Sequence, residues 1–359
     1  MKKIVSMALA LILLSPLSLA AAPSHVQEMQ LNVLSYNVSG IPVLGDYQGT
    51  QRELRGKDRA AKIGELINEH SGCDIIGVQE AFTHYDRLSE NLSHYPYFTN
   101  YSGRVPHGDG LGIFSKFPIY NVKHTKWDLS YGVLSGSSDK LAQKGFLYSL
   151  VELAPGVYID FYVLHADAGK DSKSVEARAD NFRQLAEAIQ NTPGNRAVIA
   201  LGDYNFEFQR NFEDDLYTNL IEATGLKDAW IELHNGGRYN YDDGFEWNPS
   251  VFDSLDRVLY KSGEGVKIEA KTYEYLNFTN EKGETYTDHI AVKAAFKLEI
   301  TGGSSRPDEL LIEGEIDRGR RILDEIIAMF KALLLIVDSP HEILYLIGQG
   351  IDLIFEQIS

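Results

Sequence analysis

Residues 196–208 read "RAVIALGDYNFEF". The first half is a short, continuous apolar run closed by Gly202, the pattern of a strand buried on both faces. Asp203 and Asn205 follow at once, two apart. Gly, Asp and Asn behind a strand make ordinary turns. They also set two oxygen-bearing side chains at the mouth of a site. One Gly-Asp-x-Asn does not choose between these readings, so the choice falls to the rest of the chain.

Outward from this stretch, strand-like and helix-like runs alternate. "MQLNVLSYNV" (29–38), "DIIGVQE" (74–80) and "DGLGIFSKFPI" (109–119, broken by Pro118) read as strands. "FLYSLVEL" and "GVYIDFYVLHAD" read as a hairpin turning at Pro155 and Gly156. Residues 59–70 place Ile63, Leu66 and Ile67 on one helical face. Residues 175–190 do the same with Val175, Phe182, Leu185 and Ile189. "FEDDLYTNLIEATG" reads as a helix closed by Gly225, and "SLDRVLYK" and "DHIAVKAAFKLEI" as strands. Hairpins mixed with helices predict an α+β sandwich of two sheets with helices outside.

The two ends differ from the middle. "MKKIVSMALALILLSPLSLAAA" (1–22) has the charged start, apolar stretch and small-residue cleavage site of a secretory signal peptide. Its apolar run falls short of the about 20 residues that span a bilayer. The expected location is therefore secreted or periplasmic, with the signal peptide removed. Residues 301–309, "TGGSSRPDE", have the composition of a linker. Residues 310–359 read as an added C-terminal helical segment, interrupted at Ser339-Pro340 and Gly348 to Gly350. It is read as a cap packed on the domain or on a second copy; the competing reading is peripheral membrane contact. No obligate protein partner is expected. The single cysteine, Cys73, excludes an internal disulfide and reads as a small buried residue. A net charge of −17 argues against a protein that coats nucleic acid by electrostatics alone.

Strand after strand ends in a polar residue. Asn37 closes "LSYNV", Glu80 closes "DIIGVQE" and His165 closes "FYVLHAD". Asp203 and Asn205 follow "AVIAL", Asp288 and His289 precede "IAVKAAF", and Asp256 lies in "SLDRVLY". Singly, each has a dull explanation. Asp203 would be a turn residue, His165 a satisfied histidine and Asp256 an ion-pair partner of neighbouring Arg257. Repetition at one end of a sheet points to a site. Glu80 with Asn37 suggests an oxygen site for Mg2+, with Mn2+ or another divalent cation as alternatives, completed by water and a substrate phosphate. No Cys/His spacing suits zinc. No phosphate loop of the Gly-rich Lys-Ser/Thr type is present, and no G-x-S-x-G elbow. A carboxylate beside His289 would fix its tautomer, and Asp203 could take a proton from water.

"LSYNVSG", "GVQE", "GLGIFSKFPI", "YVLHADAG", "LGDYN", "SLDRVLY" and "TDHIAV" occur in the order found in the endonuclease/exonuclease/phosphatase superfamily, and residues 29–300 resemble its catalytic domain. The resemblance implies a four-layered α/β/β/α sandwich of two mixed sheets. It implies that Asn37, Glu80 and Asp288 form the metal side and that His165 contacts the scissile phosphate. Asp203 and Asn205 would orient or activate water and bind phosphate. His289 would be the acid–base histidine, oriented by Asp256.

Two substrate classes stay open. "DKLAQKGFLYSLVEL" (139–153) resembles secreted sphingomyelinases, whereas "HADAG" differs from their His-x-Gln and "DRVLY" is closer to the deoxyribonuclease branch. The expected activity is a secreted Mg2+-dependent phosphodiesterase using in-line attack of water. A phospholipid headgroup is favoured over nucleic acid as substrate. The rival readings are a deoxyribonuclease I-like nuclease and a non-catalytic binding protein. Arg178 is expected to contact the core. The aromatic loop 234–252 reads either as a substrate platform or as packing on its own domain.

Overall fold

The computed structural model describes residues 26–40, 49–103, 108–131, 143–208, 216–239 and 251–313. The signal-peptide reading (1–22), the helical reading beyond residue 313, and parts of the 139–153, 212–225 and 234–252 stretches lie outside the described residues.

Among the described residues, twelve strands form two mixed six-stranded sheets. The first is ordered β11(Val266–Leu276), β12(Ala291–Ile300), β1(Gln27–Asn37), β2(Ile75–Gln79), β4(Gly112–Ser115), β3(Tyr97–Phe98). The second is ordered β5(Ile119–Lys126), β6(Gly145–Ala154), β7(Val157–His165), β8(Ala197–Asp203), β10(Asp256–Lys261), β9(Lys227–Asp228). Alternation along each strand builds the layers. Leu31 and Val33 of β1 face Ile159, Phe161, Val163, Ile199 and Leu201 across the core between the sheets. Leu34 and Tyr36 point the other way, onto Ile63, Leu66 and Ile67 of α1(Gly56–His70). Val198 and Ala200 meet Phe182, Leu185 and Ile189 of α3(Ser172–Asn191) on the far side. The expected four-layered α/β/β/α sandwich is thus the observed one.

Local chemistry explains the elements. Asp171 caps α3 by accepting from the backbone N–H of Lys173 and Ser174. Asp228 caps α4(Ala229–Asn235) in the same way. Pro118 separates two strands of different sheets, β4 and β5. A Cβ on Gly77 would fall 2.3 Å from a methyl of Leu201, so glycine lets the two sheets meet there. The sequence reading named no element between β10 and residue 287, where β11 lies, nor the short α2(Tyr85–Glu90) and α4. β11 is outermost in its sheet and alternates buried residues with exposed Lys and Glu, which weakens its apolar signal.

The segment read as a linker is hydrogen-bonded along the sandwich. Ser304 donates its N–H to Gly156 O and its hydroxyl accepts from Tyr158 N–H. Farther on, Leu311 N–H donates to Asn121 Oδ1, and Asn121 N–H donates to Leu311 O. Asn100 N–H donates to the Glu313 carboxylate at 2.7 Å.

Candidate active site

β1 and β2 run parallel, as do β7 and β8, so their C-terminal ends open at one end of the sandwich. β10 runs antiparallel to β8 and begins at Asp256, opposite Asp203. β12 runs antiparallel to β1, which brings Asp288 and His289, just before it, to the same end. Topology alone therefore gathers all eight sequence-predicted residues.

Asp203 is the centre. Its Oδ2 accepts from Asn37 Nδ2 at 3.2 Å and lies 3.3 Å from His165 Nε2 and 3.7 Å from His289 Nε2. Its Oδ1 accepts from the Asn205 N–H at 2.9 Å. Gly202 makes this placement possible. It adopts φ +151°, and a Cβ there would fall 2.0 Å from Leu164 O. Burial alone would raise the Asp203 carboxyl, but the charges of His165, His289 and Lys144 hold it below the usual carboxylate range.

His289 Nδ1 lies 2.8 Å from Asp256 Oδ2. Burial opposes protonation of this ring. Asp256, Asp203 and Asp288 outweigh it and hold His289 well above an ordinary histidine. Asp256 is itself raised to about 6, by burial first, with His289 pulling it back. Asp256 does not pair with Arg257 as it would if read singly. The Arg257 guanidinium instead donates to Asp228 Oδ2 and Asp253 Oδ1, each at 2.6 Å, and lies 4.5 Å over the Phe208 ring.

Where the sequence predicts the cation, Glu80 Oε1 accepts from Asn37 Nδ2 at 3.1 Å. Glu80 Oε2 is buried with no hydrogen-bond partner among the described residues. Burial pushes this carboxyl up to about 7, against the charges of Lys144 and His289. The described residues contain no group of three or more His, Cys, Asp or Glu side chains that would cage a metal by itself. A lone carboxylate oxygen facing inward does fit Mg2+, which commonly takes one or two carboxylates and fills its other positions with water and phosphate. Asp288 is more exposed, and its carboxylate accepts from the Ser39 hydroxyl. Ser39, Glu80 and Asn205 all carry left-handed backbone with φ of 51–56°, unusual for residues other than glycine and typical of functional sites.

His165 is braced from behind. Trp127 Nε1 donates to its carbonyl at 2.7 Å. Arg178 donates to Asp167 O and Gly169 O, so it contacts the fold as expected. Asp167, where the sphingomyelinase pattern has Gln, accepts from Tyr131 N–H at 2.7 Å. Asn205 Nδ2 donates to Ala166 O, tying the two loops together.

Sequence reasoning did not place Lys144 or Ser39 in the site. Lys144 is 6% exposed and donates to Ala166 O, and its charge bears on both Glu80 and Asp203. Its signal was a lysine directly before a strand, in the "QKGF" already noted for its resemblance. Ser39 sits inside "LSYNVSG", two residues past Asn37.

A family model described as "Endonuclease/Exonuclease/phosphatase family" matches residues 34–289. The sphingomyelinase of Mycobacterium bovis is 27% identical over 282 residues, covering 76% of this chain and 54% of that protein. A putative neutral sphingomyelinase of Caenorhabditis elegans is 27% identical over 309 residues, covering 77% and 68%. The chain thus spans about half the length of the mycobacterial relative. Among solved structures, sphingomyelinase C of Streptomyces griseocarneus superposes with a TM-score of 0.52 at 20% identity, over 74% of this chain and 99% of that one. A Staphylococcus aureus β-toxin mutant solved with bound magnesium ions gives 0.50 at 20% identity, over 74% and 99%.

Proposed function

Because this chain belongs to the endonuclease/exonuclease/phosphatase family, we propose that it is a secreted, Mg2+-dependent phosphodiesterase that hydrolyses a phospholipid headgroup, as a sphingomyelinase does. The observation that carries the reaction class is the single oxygen of Asp203 within 3.3 Å of His165 and 3.7 Å of His289, with Asp256 behind His289. The sphingomyelinase relatives support the lipid substrate over DNA.

Each residue has a distinct task. Glu80 would hold the divalent cation through its unpartnered oxygen, with Asp288 and Asn37 beside it. When bound, the cation supplies Lewis-acid polarisation of a phosphoryl oxygen. Asp203, kept anionic, accepts a hydrogen bond from the attacking water, aims it in line with the scissile bond and takes its proton as the new bond to phosphorus forms. Asn205 and His165 donate to the phosphoryl oxygens as charge gathers on them. His289 keeps Nδ1 on Asp256, which leaves Nε2 to work. Held protonated by its carboxylates, it gives that proton to the departing oxygen. Lys144 adds positive charge beside the anionic centre.

The test is hydrolysis by the purified protein on sphingomyelin vesicles and on plasmid DNA, with Mg2+ and with chelator, and with Glu80→Ala as the blank. Phosphocholine release that needs Mg2+ and Glu80 supports the proposal. DNA nicking with that dependence, without phosphocholine release, would replace the lipid substrate by nucleic acid. Inactivity on both would overturn the reading.

A further inference from the structure

Ser39 spends its N–H and hydroxyl on two residues of the candidate site and its carbonyl on the chain that holds it. Its N–H donates to Asn37 Oδ1 at 3.0 Å. Its hydroxyl donates to Asp288 Oδ1. Its carbonyl accepts from Arg59 Nη2 at 2.7 Å. The residue is 4% exposed and holds φ +52°, a conformation that costs a non-glycine residue energy unless its surroundings enforce it.

Those surroundings are visible. Val38 N–H donates to Gln79 O and Gly40 N–H to Glu80 O, so the β1–β2 pairing continues past both strand ends and forces the chain to bend at Ser39. A Cβ on Gly40 would fall 2.5 Å from Glu80 O, so only glycine permits this approach. Arg59 fastens the bend from the side, donating also to Val38 O and to Tyr286 O, two residues before Asp288.

Two consequences follow for the site. An Asn side chain can present either its oxygen or its amide nitrogen to a given partner. The Ser39 N–H occupies Asn37 Oδ1, which turns Nδ2 towards Glu80 Oε1 and Asp203 Oδ2, as observed at 3.1 and 3.2 Å. Asn37 is then a donor that steadies two carboxylates, and Glu80 keeps its other oxygen for the cation. Asp288, on an exposed turn, receives its only hydrogen bond among the described residues from the Ser39 hydroxyl.

We infer that Ser39 is a positioning residue for cation binding: its N–H sets the Asn37 amide, and its hydroxyl holds Asp288 on the Glu80 side of the site. The inference rests on the Mg2+-dependent reading above. It predicts that losing the hydroxyl weakens the cation without unfolding the protein, because partners of metal ligands typically contribute about 10–100-fold in affinity.

The experiment is calorimetric titration of the full chain with Mg2+, with melting curves, for wild type, Ser39→Gly, Ser39→Ala, Asp288→Asn and the Asp288→Asn double variants. Glycine accepts the left-handed backbone without strain and alanine does not, so the two separate hydroxyl from backbone effects. The expected result is a loss of about 10-fold or more in Mg2+ affinity for both serine variants. That loss should vanish in the Asp288→Asn background, since the two side chains act as one unit. Ser39→Gly binding Mg2+ as wild type does, or losses that simply add, would overturn the inference. Wild type that binds no Mg2+ would instead sink the functional reading on which it stands.

Discussion

Nδ1 of His289 sits 2.8 Å from Oδ2 of Asp256, so the ring has one nitrogen left to meet a substrate. Asp256 is buried and among the carboxylates that keep the ring protonated. Replacing His289 by alanine is expected to lower kcat by about 10²–10⁴, the usual worth of a positioned acid, with little change in KM. In Asp256→Asn the ring loses a carboxylate that raises it, so the alkaline limb of the rate–pH profile should move to lower pH. A limb that stays in place would show that another group sets it.

Glu80 presents a buried, unpartnered oxygen, and burial raises its carboxyl to about 7 from an ordinary value near 4.3. A raised carboxyl favours the fold at acid pH. That contribution is complete below about 4.3 and is lost as the pH climbs through about 7. Without metal, Glu80→Gln should therefore be more stable than wild type at pH 8, by about 1–3 kcal/mol, and gain nothing at pH 4. Added Mg2+ should raise the melting temperature of wild type and leave Glu80→Gln unmoved. Urea unfolding at the two pH values, with and without Mg2+, reads both effects.

His124 and Asp109 form a pair outside the candidate site, with Nδ1 and Oδ2 2.5 Å apart. Burial lowers His124, but the hydrogen bond and charge of Asp109 outweigh it and the ring is raised. The stabilisation is fully present below the unfolded value of about 6.5 and disappears as the pH rises through the folded value. Melting temperatures of wild type and His124→Gln should differ most near pH 5 and converge in alkaline buffer. A gap constant with pH would mean that the pair contributes by packing alone.

Arg257 is 1% exposed between Asp228 and Asp253, and it also donates to Phe206 O and Ser254 O. It therefore ties the chain just past Asn205 to the chain just before Asp256. Arg257→Met should cost about 3–5 kcal/mol, because it strands two buried carboxylates. Adding Asp228→Asn and Asp253→Asn should recover part of that loss. Chemical denaturation of the single and triple variants measures the difference.

Cys73 is fully buried and burial pushes its thiol up to about 12. The native protein should resist a thiol reagent at pH 8 and react at one site per chain once unfolded. Rapid labelling of the native state would refute the buried reading.

Much of the site was readable because it rests on chain chemistry that repeats. Asn37, His165 and Asp203 each close a strand and Glu80 follows one directly, and a polar residue at the end of an apolar run is visible without coordinates. Which oxygen meets which nitrogen was not readable. The 3.3 Å approach of His165 to Asp203 arises from parallel register between β7 and β8, a long-range pairing that no local pattern encodes. Ser39 escaped for a different reason. Its importance lies in a backbone angle, and serine is not a residue that advertises φ +52°. β11 escaped because an outermost strand carries Lys and Glu on its wet side, diluting the apolar alternation.

The run from Thr301 to Glu313 has a consequence of its own. β5 is a sheet edge, and Asn121, itself left-handed at φ +53°, spends its backbone N–H and its side chain on Leu311 and Glu309. An uncovered edge offers its backbone to any other extended chain. A protein ended at Ile300 would keep every side chain of the candidate site and lose this cover. It should turn over substrate when dilute and self-associate as its concentration rises, and light scattering against concentration would register the difference.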